Sequence, residues 1–348
     1  MELRIGSGMG QNKQVGIQVT RAIAALSIVY YHSWTSIVRF PKGTAYQIPG
    51  LTTYGWFAVY LFFAISGYVI CLVVSRETFQ VSSFLIKRVF RLYPLWLVML
   101  SVFAVTAWLW RGLQPFESLG YFLYSATLLP TLNYPFYNVG WSLQPEIAFY
   151  LIVAAVVPSF GVRGLAAFLL VSTLAAHLID MPWYLAYLGR YYGLFLAGVL
   201  AFMAHDKLAR FGFWQPAVAG VVLLVLLGYF SDALTPFGLF FVITAFANLS
   251  PSDQAWWRKP ATTLGDASYS IYLIHPMVFF TASSLVSKFP NAPFWVEEPI
   301  RFTCIGIAIV FSLLSWRLFE TPMIRLGNRI AALRSNRSPV EKQLAISK

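Results

Sequence analysis

Charge is the scarcest commodity in this chain. Asp, Glu, Lys and Arg together make up 11% of its 348 residues, where a soluble domain carries about 25%. That shortage excludes an ordinary water-facing surface. Cysteine is nearly absent too: Cys71 and Cys304 both lie inside apolar runs, without the spacing of a metal site or a redox pair, and read as small core residues. Several chemistries are missing outright. There is no Walker loop, no GxSxG elbow, no HExxH and no pair of acids of the glycosidase type, and no metal is expected. No internal repeat or low-complexity segment appears. Acids are few, 13 against 25 basic residues for a net charge of +12, but the basic residues sit between apolar runs. They form no aromatic-interleaved patch of the kind that binds nucleic acid, and membrane topology explains them better.

What remains is apolar. Hydrophobic residues make up 58% and aromatics 18%, with a mean hydropathy of +0.66. Length alone would allow two or three soluble domains, yet nothing between the apolar runs is able to build a separate core. The expectation is an all-α polytopic membrane protein, about ten transmembrane helices in a single bundle. Hydropathy windows place the spans at 15–36, 52–75, 93–111, 145–159, 163–179, 184–204, 215–231, 235–250, 267–287 and 300–319. The fourth and fifth are short for a hydrocarbon core of ~30 Å and suggest tilting or kinking. Residues 116–132 are apolar enough for a re-entrant or surface segment. With the N-terminus inside, the inner segments hold Arg4, Lys13, Arg76, Lys87, Arg88, Arg91, Arg163, Lys207, Arg210, Arg258, Lys259 and the tail from Arg325 to Lys348. The outer ones hold Arg39, Lys42, Arg111, Lys288 and Arg301. This asymmetry puts both termini in the cytoplasm. The division is then a cytoplasmic segment at 1–14, a membrane domain at 15–322 and a basic cytoplasmic tail at 323–348, read as a surface helix that meets anionic lipid and runs into disorder. The first span continues past residue 31 without a good cleavage site and is expected to be retained.

Against this background a few polar residues stand out. Arg21 and His32 lie in one apolar run, VGIQVTRAIAALSIVYYHSW, although an Arg near a helix centre costs roughly 2.5 to 3.5 kcal/mol. Eleven residues at about 100° each bring His32 within ~20° of the same helix face as Arg21, ~16 Å further along the axis. Two costly residues in register imply a shared polar cavity, whereas His32 alone would read as interfacial. Arg88 and Arg91 share a face at the cytoplasmic mouth of the third span. They are either a topology anchor, with Trp96 as a belt residue, or a clamp for phosphates, which guanidinium groups contact bidentately. Glu146 opens the fourth span from outside, just after Pro145. It is either a helix cap or an acid level with His32 that orients the imidazole or stabilises its charged form. His275, flanked by Tyr269 and Tyr272, is a mid-span candidate against the alternative of a satisfied buried histidine. Arg190 is a weaker candidate of the same kind, and His205 reads as a loop residue among cytoplasmic charges.

Six stretches, in order along nearly the whole chain, carry a resemblance: RAIAALSIVYYH at 21–32, LFFAISGYVI at 61–70, KRVFRLYP at 87–94, GWSLQPEIAFY at 140–150, LGDASYSIYLIH at 264–275 and FETP at 319–322. The chain resembles the acyltransferase type-3 family of integral membrane acyltransferases, in the branch similar to exopolysaccharide-production and O-antigen acetyltransferases. The resemblance implies an acyl-CoA donor, acetyl-CoA foremost, approached from the cytoplasm as a substrate and not a permanently bound cofactor. It implies transfer to a hydroxyl of a glycan or lipid-linked saccharide in the cell's inner membrane, with His32 as base. Arg88 and Arg91 match the element that engages the CoA phosphates, with Arg21 along the donor's path. Glu146 matches the acid of the Trp-Ser-Leu motif and His275 the histidine of the SYSIYLIH motif; Tyr269 and Arg190, read from their own placement, are expected as substrate or supporting residues. One departure is Tyr60, where many members carry an Asp. The rival expectation is a transporter or flippase of a lipid-linked sugar, since charged residues in helices also line substrate paths. A non-catalytic scaffold leaves the Arg21 to His32 register unexplained.

Overall fold

A computed structural model describes residues 9–37, 48–111, 119–129, 134–230, 232–250, 252, 254–286 and 294–334. Arg4, Arg39, Lys42, Lys288 and the tail beyond Arg334, which carry part of the charge asymmetry, lie outside the described residues. In chain order the helices are α1 (Met9–Ile37), α2 (Pro49–Tyr54), α3 (Ala58–Val74), α4 (Val81–Arg111), α5 (Leu119–Thr127), α6 (Leu143–Leu178), α7 (Trp183–Leu208), α8 (Trp214–Phe230), α9 (Thr235–Ala247), α10 (Arg258–Asp266), α11 (Ser268–Val286), α12 (Phe294–Ser315) and α13 (Thr321–Arg334). The protein is all-helical over these residues, and a helix occupies each of the ten hydropathy windows.

Five stretches among the described residues are long and apolar enough to cross a membrane: Gly50–Val74, Val81–Leu109, Asn138–Leu178, Trp183–Phe211 and Trp295–Arg334. Their composition leaves little choice. The 17 residues of α3 carry no charge, and in hydrocarbon a chain must satisfy its own backbone groups, which a helix does. α1 and α11 are not among these five. The fourth and fifth windows prove to be two arms of α6 joined without a loop. Gly161, at φ 62° and ψ −166°, breaks the helix between them in a conformation that glycine tolerates and other residues avoid.

The chain divides into two compact units. The first comprises Met1–Leu26, Phe57–Arg76 and Ser159–Ser268. Here α3 runs along α7, α7 along α9 and α9 along α8. The α3–α7 crossing is tight because both helices present glycine: a methyl at Gly67 would run into the carbonyl of Phe195, and one at Gly198 into that of Ala64. Small residues let helix backbones meet where hydrophobicity alone cannot drive association in lipid. Phe63 then packs on Phe195, with ring centroids 5.0 Å apart. His205 lies within α7, buried beside Tyr68, and so belongs to the core and not to a loop.

The second unit comprises Ser27–Trp56, Glu77–Pro158 and Tyr269–Lys348. α13 packs along α4, with Gly327 against Phe90 and the Ser83 hydroxyl on the Ala331 carbonyl at 3.3 Å. The chain expected to begin the basic tail is therefore a packed helix as far as Arg334. A single turn of π-helix, Trp316–Glu320, separates α12 from α13, an irregularity frequent at functional sites. Cys71 and Cys304 are free and buried.

Candidate active site

The second unit brings His32 of α1 against His275 of α11. His32 Nδ1 and His275 Nε2 are 2.8 Å apart, and the rings stack at 5.1 Å with 16° between their planes. His275 is fully buried and His32 half-buried. The other nitrogen of His275, Nδ1, lies 2.7 Å from the carbonyl oxygen of Ile271 and also faces the carbonyl of Tyr272. A carbonyl only accepts, so Nδ1 carries the proton. The Tyr272 carbonyl is open for a local reason: its helical partner would be the N–H of residue 276, which is proline and has none. With Nδ1–H committed, the Nε2 of neutral His275 is an acceptor, and His32 donates to it from its own Nδ1. His32 Nε2 is left with a lone pair. A carbonyl, one imidazole and a second imidazole thus form a chain that ends in a base, the logic by which a third group fixes a catalytic histidine's tautomer.

The segment before α6 fastens α11 at this level. Tyr137 donates to the Leu273 carbonyl at 2.6 Å. The hydroxyls of Ser142 and Tyr272 lie 2.7 Å apart, and Tyr272 donates to the Val139 carbonyl at 3.2 Å. Further along α11, Ser270 donates to the buried Glu320 at 2.6 Å, and Tyr269 to the Leu92 carbonyl at 2.6 Å. Glu320 is the acid of the FETP stretch at 319–322. Beside His32, the carbonyl of Ser33 accepts from Arg301 at 2.9 Å. Arg301 is 1% exposed, its guanidinium 3.6 Å from the centre of the Trp34 ring and its Nε 3.5 Å from Glu298. Sequence reading counted Arg301 only among outer charges, because net charge by segment carries no information on burial.

Glu146 was expected to orient His32; the group at hydrogen-bond distance from His32 Nδ1 is His275. Glu146 accepts a hydrogen bond from Tyr150, one turn on in α6. The same tyrosine ring lies 5.4 Å from the Arg88 guanidinium, with Phe84 at 5.5 Å, and both Glu146 and Arg91 lie within electrostatic reach of Arg88. Arg88 Nε is buried without a hydrogen-bond partner. Arg88, Arg91, Glu146 and Tyr150 form one charged cluster between α4 and the first arm of α6, with Tyr269 of α11 at its edge.

The remaining candidates belong to the first unit. Arg21 lies 3.5 Å from the side-chain oxygen of Gln18, whose amide donates to Asp266 at 2.6 Å. Asp266 closes α10, and its nearness to α1 was not legible from 248 residues away. Arg190 is exposed on α7. Tyr60 packs on Phe57 and Tyr191 with centroids at 5.1 and 6.1 Å. Among the described residues no three His, Cys, Asp or Glu side chains group to hold a metal ion.

Comparison with known proteins gives the family. The sequence profile of an acyltransferase domain family, acyltransferase type 3, matches residues 14–316. BcsY of Komagataeibacter xylinus, named as a membrane-bound transacylase, is 25% identical over 366 aligned positions covering 94% of this chain and 87% of its own length. The acyltransferase MdmB of Streptomyces mycarofaciens is 26% identical over 333 positions, covering 80% of this chain and 83% of its own. No solved structure matches. With its profile match running through every helix that carries the site, the chain belongs to the acyltransferase type-3 family and is an integral membrane acyltransferase.

Proposed function

We propose that the enzyme moves an acyl group, acetyl foremost, from cytoplasmic acyl-CoA to a hydroxyl of a cell-surface or exported glycan. The observation that carries this reading is the carbonyl–His275–His32 chain, which leaves a proton acceptor on a half-buried imidazole. His32 Nε2 takes the proton of the acceptor hydroxyl as its oxygen attacks the thioester carbonyl carbon. The C–S bond then breaks, and the departing CoA thiolate recovers the proton from His32. A positioned base of this kind contributes typically 10² to 10⁴ in rate. His275 steadies the imidazolium by accepting from its Nδ1–H. Arg88 and Arg91 hold the donor's phosphates, with Glu146 and Tyr150 keeping Arg88 in place before the donor arrives. Arg21 lines the donor's path, and Tyr269 and His275 support the site. Arg190, exposed on α7, is assigned no part in this reading.

This reading includes about ten spans in the inner membrane, both termini inside, the membrane domain at 15–322 and a basic tail from 323 that meets anionic lipid. Reporter fusions after Pro182 and after Lys348 should therefore read outside and inside. The direct test is detergent-purified protein given radiolabelled acetyl-CoA and the glycan fraction of its own cells. Label should enter the saccharide, and His32→Gln should abolish transfer while calorimetry finds CoA bound as before. Label confined to lipid or protein would contradict the acceptor class, and transfer by His32→Gln at the parental rate would contradict the base.

A further inference from the structure

One proline and one tyrosine hydroxyl meet the helix that carries His275. α11 carries Pro276 in its interior, directly after His275. A proline removes one helical hydrogen bond, crowds the carbonyl four residues back and bends the helix. In an apolar surrounding the freed backbone groups must find other partners. His275 Nδ1 answers the Tyr272 carbonyl. The next rung, between the Leu273 carbonyl and the Met277 N–H, is bridged from outside the helix: the Tyr137 hydroxyl donates to Leu273 at 2.6 Å, and the Met277 N–H faces the same oxygen. Tyr137 is 3% exposed, stacked between Trp96 at 6.0 Å and Phe103 at 4.8 Å, so its hydroxyl has one place to go.

We propose that Tyr137 is a positioning residue for acyl transfer: its hydroxyl, wedged into the rung beside Pro276, sets the bend of α11 that holds His275 Nε2 against His32 Nδ1. A tyrosine serving packing alone needs no hydroxyl on that rung, since the two backbone groups are able to bond each other. Without the hydroxyl, Met277 closes on Leu273, α11 straightens, and His32 loses the acceptor that fixes its tautomer. The inference rests on reading His32 and His275 as a working pair, but its test does not depend on catalysis.

Tyr137→Phe removes one oxygen and keeps the ring. The chain has four histidines, so ¹⁵N-histidine spectra of the full-length protein in detergent are simple, and His275→Gln assigns the resonances. The parent should show Nε2 of His275 accepting a hydrogen bond and a downfield Nδ1 proton on His32. Tyr137→Phe should lose that proton, shift His275 Nε2 towards the value of a free acceptor, and slow single-turnover transfer by about tenfold or more at unchanged CoA affinity. Trp96→Phe, which trims one wall of the stack and spares the hydroxyl, should lower thermal stability and leave both signals in place. Parental signals in Tyr137→Phe would overturn the proposal, as would the same signal changes in Trp96→Phe. If His32→Gln transfers normally, the base assignment fails while the spectra still report whether Tyr137 holds the pair.

Discussion

The two polar clusters of the second unit solve the same problem in opposite ways. Around Arg88 the cost of charge among apolar helices is met by charge and aromatic faces: Glu146 and Tyr150 on one side, the Phe84 ring on another. A cation over a ring face gains about 0.5 to 2 kcal/mol, and a nearby carboxylate adds to that, so the cluster suits an anionic ligand that enters and leaves. Around His275 no charge is needed. Backbone carbonyls and a second imidazole satisfy every polar atom of the ring, and the result is a fixed tautomer. On the roles proposed above, the difference teaches that a binding cation and a general base ask for different neighbours, and that Glu146 stands with the former.

The largest effect expected from this contrast is at His32. His32→Ala should bind acyl-CoA like the parent and lose transfer by at least ~10², and His32→Gln should be nearly as inactive, since an amide of similar length accepts no proton at neutral pH. Next come the arginines. Arg91→Ala and Arg88→Ala should each weaken CoA binding by about tenfold, with most of the loss disappearing when the donor lacks its phosphates; calorimetric titration against CoA and against a pantetheine thioester reads the difference. Glu146→Gln sharpens the comparison further. It should shift donor affinity by a few-fold and leave the single-turnover rate at saturating donor near parental. A large drop in that rate at unchanged affinity would return Glu146 to the base and dissolve the contrast. Outside both clusters, Gly198→Ala should cost about 1 to 3 kcal/mol of stability by forcing α3 from α7, seen as a lower melting temperature in detergent. Arg190→Ala, on an exposed side chain, should change neither affinity nor rate.

Much of this was legible beforehand, and the residues show where legibility ends. The uncharged run of α3 and the recurring apolar windows announce helices, and the ten windows do hold helices. The six motifs point to the family. Depth was less readable: Glu146, expected level with His32 at the outer end, meets Tyr150 beside Arg88, which was expected at the cytoplasmic mouth. Azimuth was no more readable. His32 and His275 are 243 residues apart and meet only because α1 and α11 pack with particular faces inward. Glu146 lies one turn from Tyr150, and that local i,i+4 relation was readable, but its nearness to α4 was not. Pro276 after His275 was a signal within reach: a proline following a histidine in a helix opens a carbonyl that the ring itself can use. Tyr137, Glu320 and Arg301 look ordinary in the sequence because burial and backbone contacts define them.

The central claim is that His32 and His275 act as one unit, and a double-mutant cycle addresses it directly. Single-turnover acyl transfer would be measured for the parent, His32→Gln, His275→Gln and the double variant, at saturating acyl-CoA on preparations matched for CoA affinity. If His275 works through His32, His275→Gln slows the parent by about 10- to 100-fold and slows His32→Gln by less than about twofold, because a base already lost cannot be mispositioned. Full additivity, with His275→Gln costing the same factor in both backgrounds, would contradict the claim.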